Sequence, residues 1–200
     1  GQANLLSHDF QDSYAKELQK SYHYLVQKHQ LREKVIGSVE FFKHRPDNFP
    51  SIRLVQLASL YFHQKNLFSL VMNCSSINEL YQVFNVGVSE YWETHYNFDR
   101  ESSKKMKKLS KSFIELLVIN TIIPLQFAYA RSQQKEITQD LIDLANSIPS
   151  EKNVIIDKFK TFGIASENVY ESQALLQLKK EYCDLKKCLD CAVGHFILKK

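Results

Sequence analysis

Glycine and proline are scarce: five Gly and four Pro in 200 residues. That scarcity excludes collagen-like and low-complexity chains. It also speaks against a turn-rich sandwich or barrel, which needs those residues at its many corners. The five glycines are too dispersed to build G-x-x-x-x-G-K, G-x-G-x-x-G or G-x-S-x-G, and no H-E-x-x-H occurs. Phosphate-loop, dinucleotide-fold, nucleophile-elbow and zincin chemistries therefore have no support. Gly1 to Ser7 has neither the charged start nor the apolar stretch of a signal peptide. What is present is ordinary globular material, 44% hydrophobic and 24% charged.

Charge is the first organised feature. The formal net charge is +4. Between residues 100 and 111, six basic residues (Arg100, Lys104, Lys105, Lys107, Lys108 and Lys111) face only Glu101. Between residues 179 and 200, six lysines face Glu181, Asp184 and Asp190. The two windows carry +5 and +3, so the other residues sum to −4. Such patches attract phosphate backbones or acidic partners. The plainer account is a solvated loop and a solvated helix face, and no aromatic residue interleaves the first run.

Helical periodicity dominates. Phe10, Tyr14, Leu18, Tyr22 and Leu25 predict a helix over 9–30 with Asp9 as its cap. A second helix is expected over 33–44, closed by Arg45-Pro46, and an irregular stretch to Pro50. Ser51 is expected to cap an apolar helix to His63 with Ile52, Val55, Leu57 and Leu60 inside, and short helices follow near 67–73 and 77–84. Ser76 with Glu79 makes a capping box. The period of 90–98 does not decide between helix and strand, and no clear hairpin signal occurs. The most apolar segment, Phe113 to Ala130, is interrupted by Glu115, Asn120, Pro124 and Gln126. It reads as a central buried helix kinked at Pro124 rather than a membrane span. Helices over 137–148, 152–162 (capped by Ser150, stopped by Gly163) and 167–182 complete the chain before its cysteine segment. The expected fold is all-α, a single irregular helical bundle around the helix near residues 112–131.

Cys183, Cys188 and Cys191 give C-x4-C-x2-C, and His195 lies one helical turn beyond. Thiolates are preferred ligands of zinc and iron–sulfur clusters, so these four residues are a candidate metal site. Cys74 and His63 join only if the fold brings them in. Reduced thiols packed between helices are the plain alternative, and a disulfide framework is not expected from this cysteine count. Glu90, Glu93 and His95 are a conceivable acid/base cluster, but a helix-surface role is commoner. Arg45, Asn48, Arg53 and His63 can clamp an anion or simply hold the proline-rich elbow. Tyr91, Trp92 and Tyr96 can stack bases or fill a core. No residue is assigned a catalytic role.

Several strings read together: RPDNFPSIRLVQLA (45–58), SEYWETHYNF (89–98), INTIIPLQFAYA (119–130), PSEKNVII (149–156), SQALLQLKKEYC (172–183) and KKCLDCAVG (186–194). With them the chain resembles the C-terminal half of domain-of-unknown-function family 2851, found mainly in Bacteroidetes. The resemblance implies a cytoplasmic bacterial protein, implies a preceding N-terminal region, and carries no activity to transfer. The tail is also distantly similar to the cysteine loop of helix-hairpin-helix DNA glycosylases, with three cysteines where that loop has four. The expected role is a non-catalytic accessory module that binds nucleic acid through its lysine-rich segments. The alternative is a scaffold that packs on its own N-terminal region. No membrane partner is expected.

Overall fold

The computed structural model describes residues 3–31 and 39–199. The chain is predominantly helical. In order the helices are α1 (Ser13–His29), α2 (Pro50–His63), α3 (Leu67–Asn73), α4 (Ile77–Val83) and α5 (Glu90–Glu93). A small hairpin follows, β1 (His95–Asn97) with β2 (Arg100–Glu101). Then come α6 (Lys111–Leu117), α7 (Ile123–Ser132), α8 (Thr138–Asn146), α9 (Val154–Thr161), α10 (Val169–Gln177) and α11 (Ala192–Leu198). These elements gather into two compact units: Gly1–Leu67 with Val83–Ser110, and Phe68–Gln82 with Lys111–Lys200.

The first unit is organised around aromatic side chains. Trp92, 2% exposed, packs edge-on against Phe98 and Tyr91 and donates its indole N–H to the Tyr14 hydroxyl at 3.1 Å. Phe10 is buried against Phe98. That packing draws residues 9–11 out of the expected helix. The helix therefore starts three residues later than predicted, with Asp12 rather than Asp9 at its cap, its carboxylate accepting the Tyr14 N–H at 2.8 Å. Ser51 likewise does not cap α2. Phe49 precedes the helix, Pro50 opens it, and the buried Ser51 hydroxyl donates instead to the Tyr96 carbonyl at 2.5 Å. The helix expected over 33–44 lies partly outside the described residues, and its described end, 39–44, is not helical.

The all-α expectation holds, and the segment over 90–98, whose period does not decide between helix and strand, resolves into α5 and the first strand of this small hairpin. Asp99 adopts a left-handed conformation, φ 59°, and lets the chain turn within two residues. Its carboxylate accepts the N–H groups of Gln11 and Asp12, at 3.1 and 2.8 Å, so a distant segment holds the turn.

The second unit contains the expected apolar helix. It runs unbroken from Lys111 to Ser132 as α6, a wide π-helical turn over Val118–Ile122, and α7. Pro124 has no N–H and its ring crowds the carbonyl four residues back. The wide turn sits just before it, so the helix absorbs the proline by adding a residue to that turn. Ile114, Val118, Ile119, Ile122 and Ala130 are buried, whereas Leu116, Leu125, Phe127 and Tyr129 are exposed by 41–45%. The expected central helix is thus buried along one face. By length and composition it could cross a membrane, with a mean hydropathy of 1.6, but the core helix of a soluble protein passes the same test.

Around it, Leu141, Leu144, Ala145, Ile148, Ile156 and Val169 complete the core. Gln126 reaches across to the ends of α3, donating to the carbonyls of Val71 and Cys74 at 2.8 and 2.9 Å. The Ser76–Glu79 capping box forms as predicted, with the Glu79 N–H on the Ser76 hydroxyl at 3.3 Å and the Ser76 N–H on the Glu79 carboxylate at 3.2 Å. Gly163 stops α9 at φ 79°, also as predicted. The cap of α9 is Asn153, whose side chain accepts the N–H groups of Ile155 and Ile156. Ser150, the expected cap, instead bonds the Ser166 hydroxyl at 2.6 Å.

Candidate functional site

The lysine-rich run follows the hairpin and passes back over the last carbonyls of α5. Those carbonyls have no helical partners of their own. Lys107 supplies them. Its residue is 4% exposed, and its ammonium donates to the carbonyls of Trp92, Glu93 and His95 at 2.5, 3.0 and 3.0 Å. The same ammonium lies 4.0 Å from the centre of the Tyr96 ring. Burial lowers its pKa. Three donors meet three acceptors, so this cation is a fastener inside the unit and is out of a phosphate's reach.

The neighbouring cations point outward. Lys104 pairs with Glu93 at 3.2 Å, Lys105 with Asp47 at 2.6 Å, and Lys108 donates to the Asn85 side chain at 3.1 Å. The Lys105 ammonium holds the Asp47 carboxyl below its usual range, helped by the Tyr96 hydroxyl at 3.0 Å. Arg100 is exposed on β2, and Lys111, exposed at the start of α6 in the second unit, lies 5.1 Å from the Tyr81 ring. Five of the six predicted nucleic-acid residues are therefore at the surface, and Lys107 is not.

The suspected acid/base cluster resolves into packing. His95 is buried, stacked on Tyr91 with ring centres 3.9 Å apart, and Tyr91 stacks in turn on Tyr14 at 4.1 Å. The His95 Nδ1 is 2.9 Å from the Tyr91 carbonyl and 3.0 Å from the Thr94 hydroxyl. The Tyr91 hydroxyl donates to Asp12, and burial followed by that carboxylate pushes the phenol pKa up. Glu93 belongs to the ion pair with Lys104, and Glu90 is exposed. At the elbow, Arg53 donates to Asn48 at 2.6 Å and Gln56 at 2.9 Å, which accounts for it without an anion.

Cys183 ends the π-helical extension of α10 and is exposed, as is Cys188. Cys191 is buried immediately before α11, and His195 is exposed on that helix. Among the described residues no group of three or more His, Cys, Asp or Glu side chains is gathered to hold a metal ion. The four predicted ligands share a segment without converging on a point.

Sequence reasoning did not single out two further features. A groove of about 890 Å³ in the second unit is lined by Asn120, Glu151, Gln173, Gln177, Lys180 and Glu181, among others. Both π-helical turns reach its walls, and Gln173 donates to Glu151 across it. The other is α2, which is apolar on two sides. Ile52, Gln56 and Leu60 face the core, while Leu54, Leu57, Tyr61 and Phe62 are 42%, 48%, 63% and 79% exposed. Leu57, expected inside with Ile52, Val55 and Leu60, instead stands on the exposed side, because the helix is apolar on both sides and its apolar residues alone do not say which side meets the core.

A family model described as a protein of unknown function (DUF2851) matches residues 1–154. No curated protein and no solved structure matches the chain.

Proposed function

The chain belongs to the DUF2851 family, and from that premise we propose that it is a non-catalytic helical docking module, covered in use by another polypeptide surface laid on the outer face of α2. The observation that supports this reading is that face itself. Leu54, Leu57, Ala58 and Tyr61 fall at i, i+3, i+4 and i+7, with Phe62 beside them, and all five are exposed. A helix apolar on opposite sides is a helix meant to be covered on both. Covering half-exposed Leu, Tyr and Phe side chains yields on the order of 1 kcal/mol each, enough to make a central contact. The partner surface is apolar where it meets these side chains.

A photo-crosslinking residue at position 57 or 61, in the cells that make the protein, tests this. The expected result is one defined polypeptide adduct from both positions, absent from a control at the exposed Lys16 and lost when Leu54→Glu is added. Adducts identical to those of the control would overturn the reading.

A second reading, nucleic-acid binding, is supported by the exposed Arg100, Lys104, Lys105 and Lys108 of the first unit. Fluorescence anisotropy with duplex and single-stranded DNA tests it. With at most four phosphate contacts from this unit, log affinity should fall with log salt at a slope no steeper than about −3.6. No salt-sensitive binding at micromolar protein would remove it.

A further inference from the structure

We propose that Cys188 and Cys191 are a redox modification site, closing reversibly into an intramolecular disulfide against the first turn of α11. The spacing C-x2-C allows the bond, and the local backbone favours it. The chain reverses after α10: Lys186 is left-handed at φ 54°, and the N–H groups of Lys186 and Lys187 return to the carbonyls of Cys183 and Tyr182 at 3.1 and 3.0 Å. A second turn, with the Asp190 N–H on the Lys187 carbonyl at 3.2 Å, delivers Cys191 to the start of α11.

Gly194 then fixes the geometry. It stands three residues after Cys191, one helical turn on, where neighbours are about 5–6 Å apart. A Cβ at Gly194 would lie 2.3 Å from the Cys188 carbonyl oxygen and 2.9 Å from its Cα. The Cys188 backbone is thus pressed onto the very turn that Cys191 heads. Disulfides need Cα atoms roughly 4.4–6.8 Å apart, a separation open to two residues three apart across the turn closed by the Asp190 N–H on the Lys187 carbonyl.

Exposure sets the order of events. Cys188 is exposed and Cys191 is buried. With a small-molecule disulfide such as oxidised glutathione, the Cys188 thiolate attacks one sulfur and releases one glutathione thiolate. The Cys191 thiolate then attacks the Cys188 sulfur and releases the second. Two electrons pass from the cysteine pair to glutathione disulfide, and the two thiol protons end in solvent or on the released glutathiones. Cys183, five residues before Cys188, is outside the pinned turn. Cys74 is a poorer nucleophile, since burial and then Glu79 push its thiol pKa up.

The test uses the whole 200-residue chain, equilibrated across ratios of reduced to oxidised glutathione, acid-quenched, alkylated and digested with trypsin. The peptide Cys188–Lys199 contains this pair and no other cysteine. It should become lighter by two hydrogen atoms and resist alkylation, while Cys74 and Cys183 stay alkylated. Glutathione retained on Cys188 with Cys191 alkylated, or a Cys183–Cys188 link, would overturn the proposal. Gly194→Ala, with its helical circular dichroism retained, should shift the equilibrium toward the dithiol by about tenfold, because the backbone must move off the turn. Gly87→Ala, where a Cβ meets nothing within 4 Å, should not shift it. Equal titration of wild type and Gly194→Ala would show that the pinned turn does not set the pair.

Discussion

The run from Arg100 to Lys111 holds five lysines in twelve residues, the tail from Lys179 onward six in twenty-two, and the two use them in opposite ways. In the run, Lys104, Lys105, Lys107 and Lys108 each have a partner from elsewhere in the first unit. In the tail, the ion pair found among the described residues is the local one between Lys179 and Asp184, five residues apart, and Lys186 and Lys187 ride an exposed turn. The difference is made by the hairpin. It brings the run back over open carbonyls and acidic side chains, so long amines become fasteners. Lysine count therefore measures charge, while the path of the backbone decides whether that charge is available to a partner.

The sharpest way to break this comparison is Lys107→Met. It removes the ammonium from the carbonyls of Trp92, Glu93 and His95, of which Glu93 keeps the Lys105 N–H at 2.9 Å, and should lower stability by about 2–4 kcal/mol in urea denaturation. Lys187→Met in the tail should change it by less than about 0.5 kcal/mol. Similar values for the two would refute the distinction. A smaller effect is expected for Asp47→Asn, which weakens the contacts to Lys105 and Tyr96. Asp47 is more than half exposed, so the loss should stay within about 1 kcal/mol. Its carboxyl titrates below the ordinary value of 3.8, mainly because of the Lys105 ammonium. The contribution is therefore complete above that value and disappears as pH falls through the lowered one. Wild type should lose stability over that acid range by more than Asp47→Asn, and equal acid profiles would show the pair to be idle.

Local signals were legible and long-range ones were not. The Ser76–Glu79 box and the Gly163 stop depend on residues within one turn of each other, and both form as read. Asp9, Ser51 and Ser150 had the right chemistry for caps, but each lost to a tertiary contact. Phe10 is drawn onto Phe98, the Ser51 hydroxyl is taken by Tyr96, and Ser150 is taken by Ser166. Lys107 was indistinguishable from its neighbours because its acceptors lie 12 to 15 residues away, across a hairpin that the sequence does not announce. The cysteine spacing was plain from the start. What it lacked was the backbone contact at Gly194, which no motif encodes.

The two units are interleaved along the polypeptide: residues 68–82 leave the first, serve the second, and hand the chain back at Val83. Three covalent crossings follow, at 67/68, 82/83 and 110/111. No single cut frees either unit whole. A fragment ending at 110 would retain α3 and α4 with Val71 and Leu80 stripped of their cover, and a fragment starting at 111 would lack the carbonyls that Gln126 holds. Excision of either half thus calls for a rejoined or circularly permuted gene rather than a truncation.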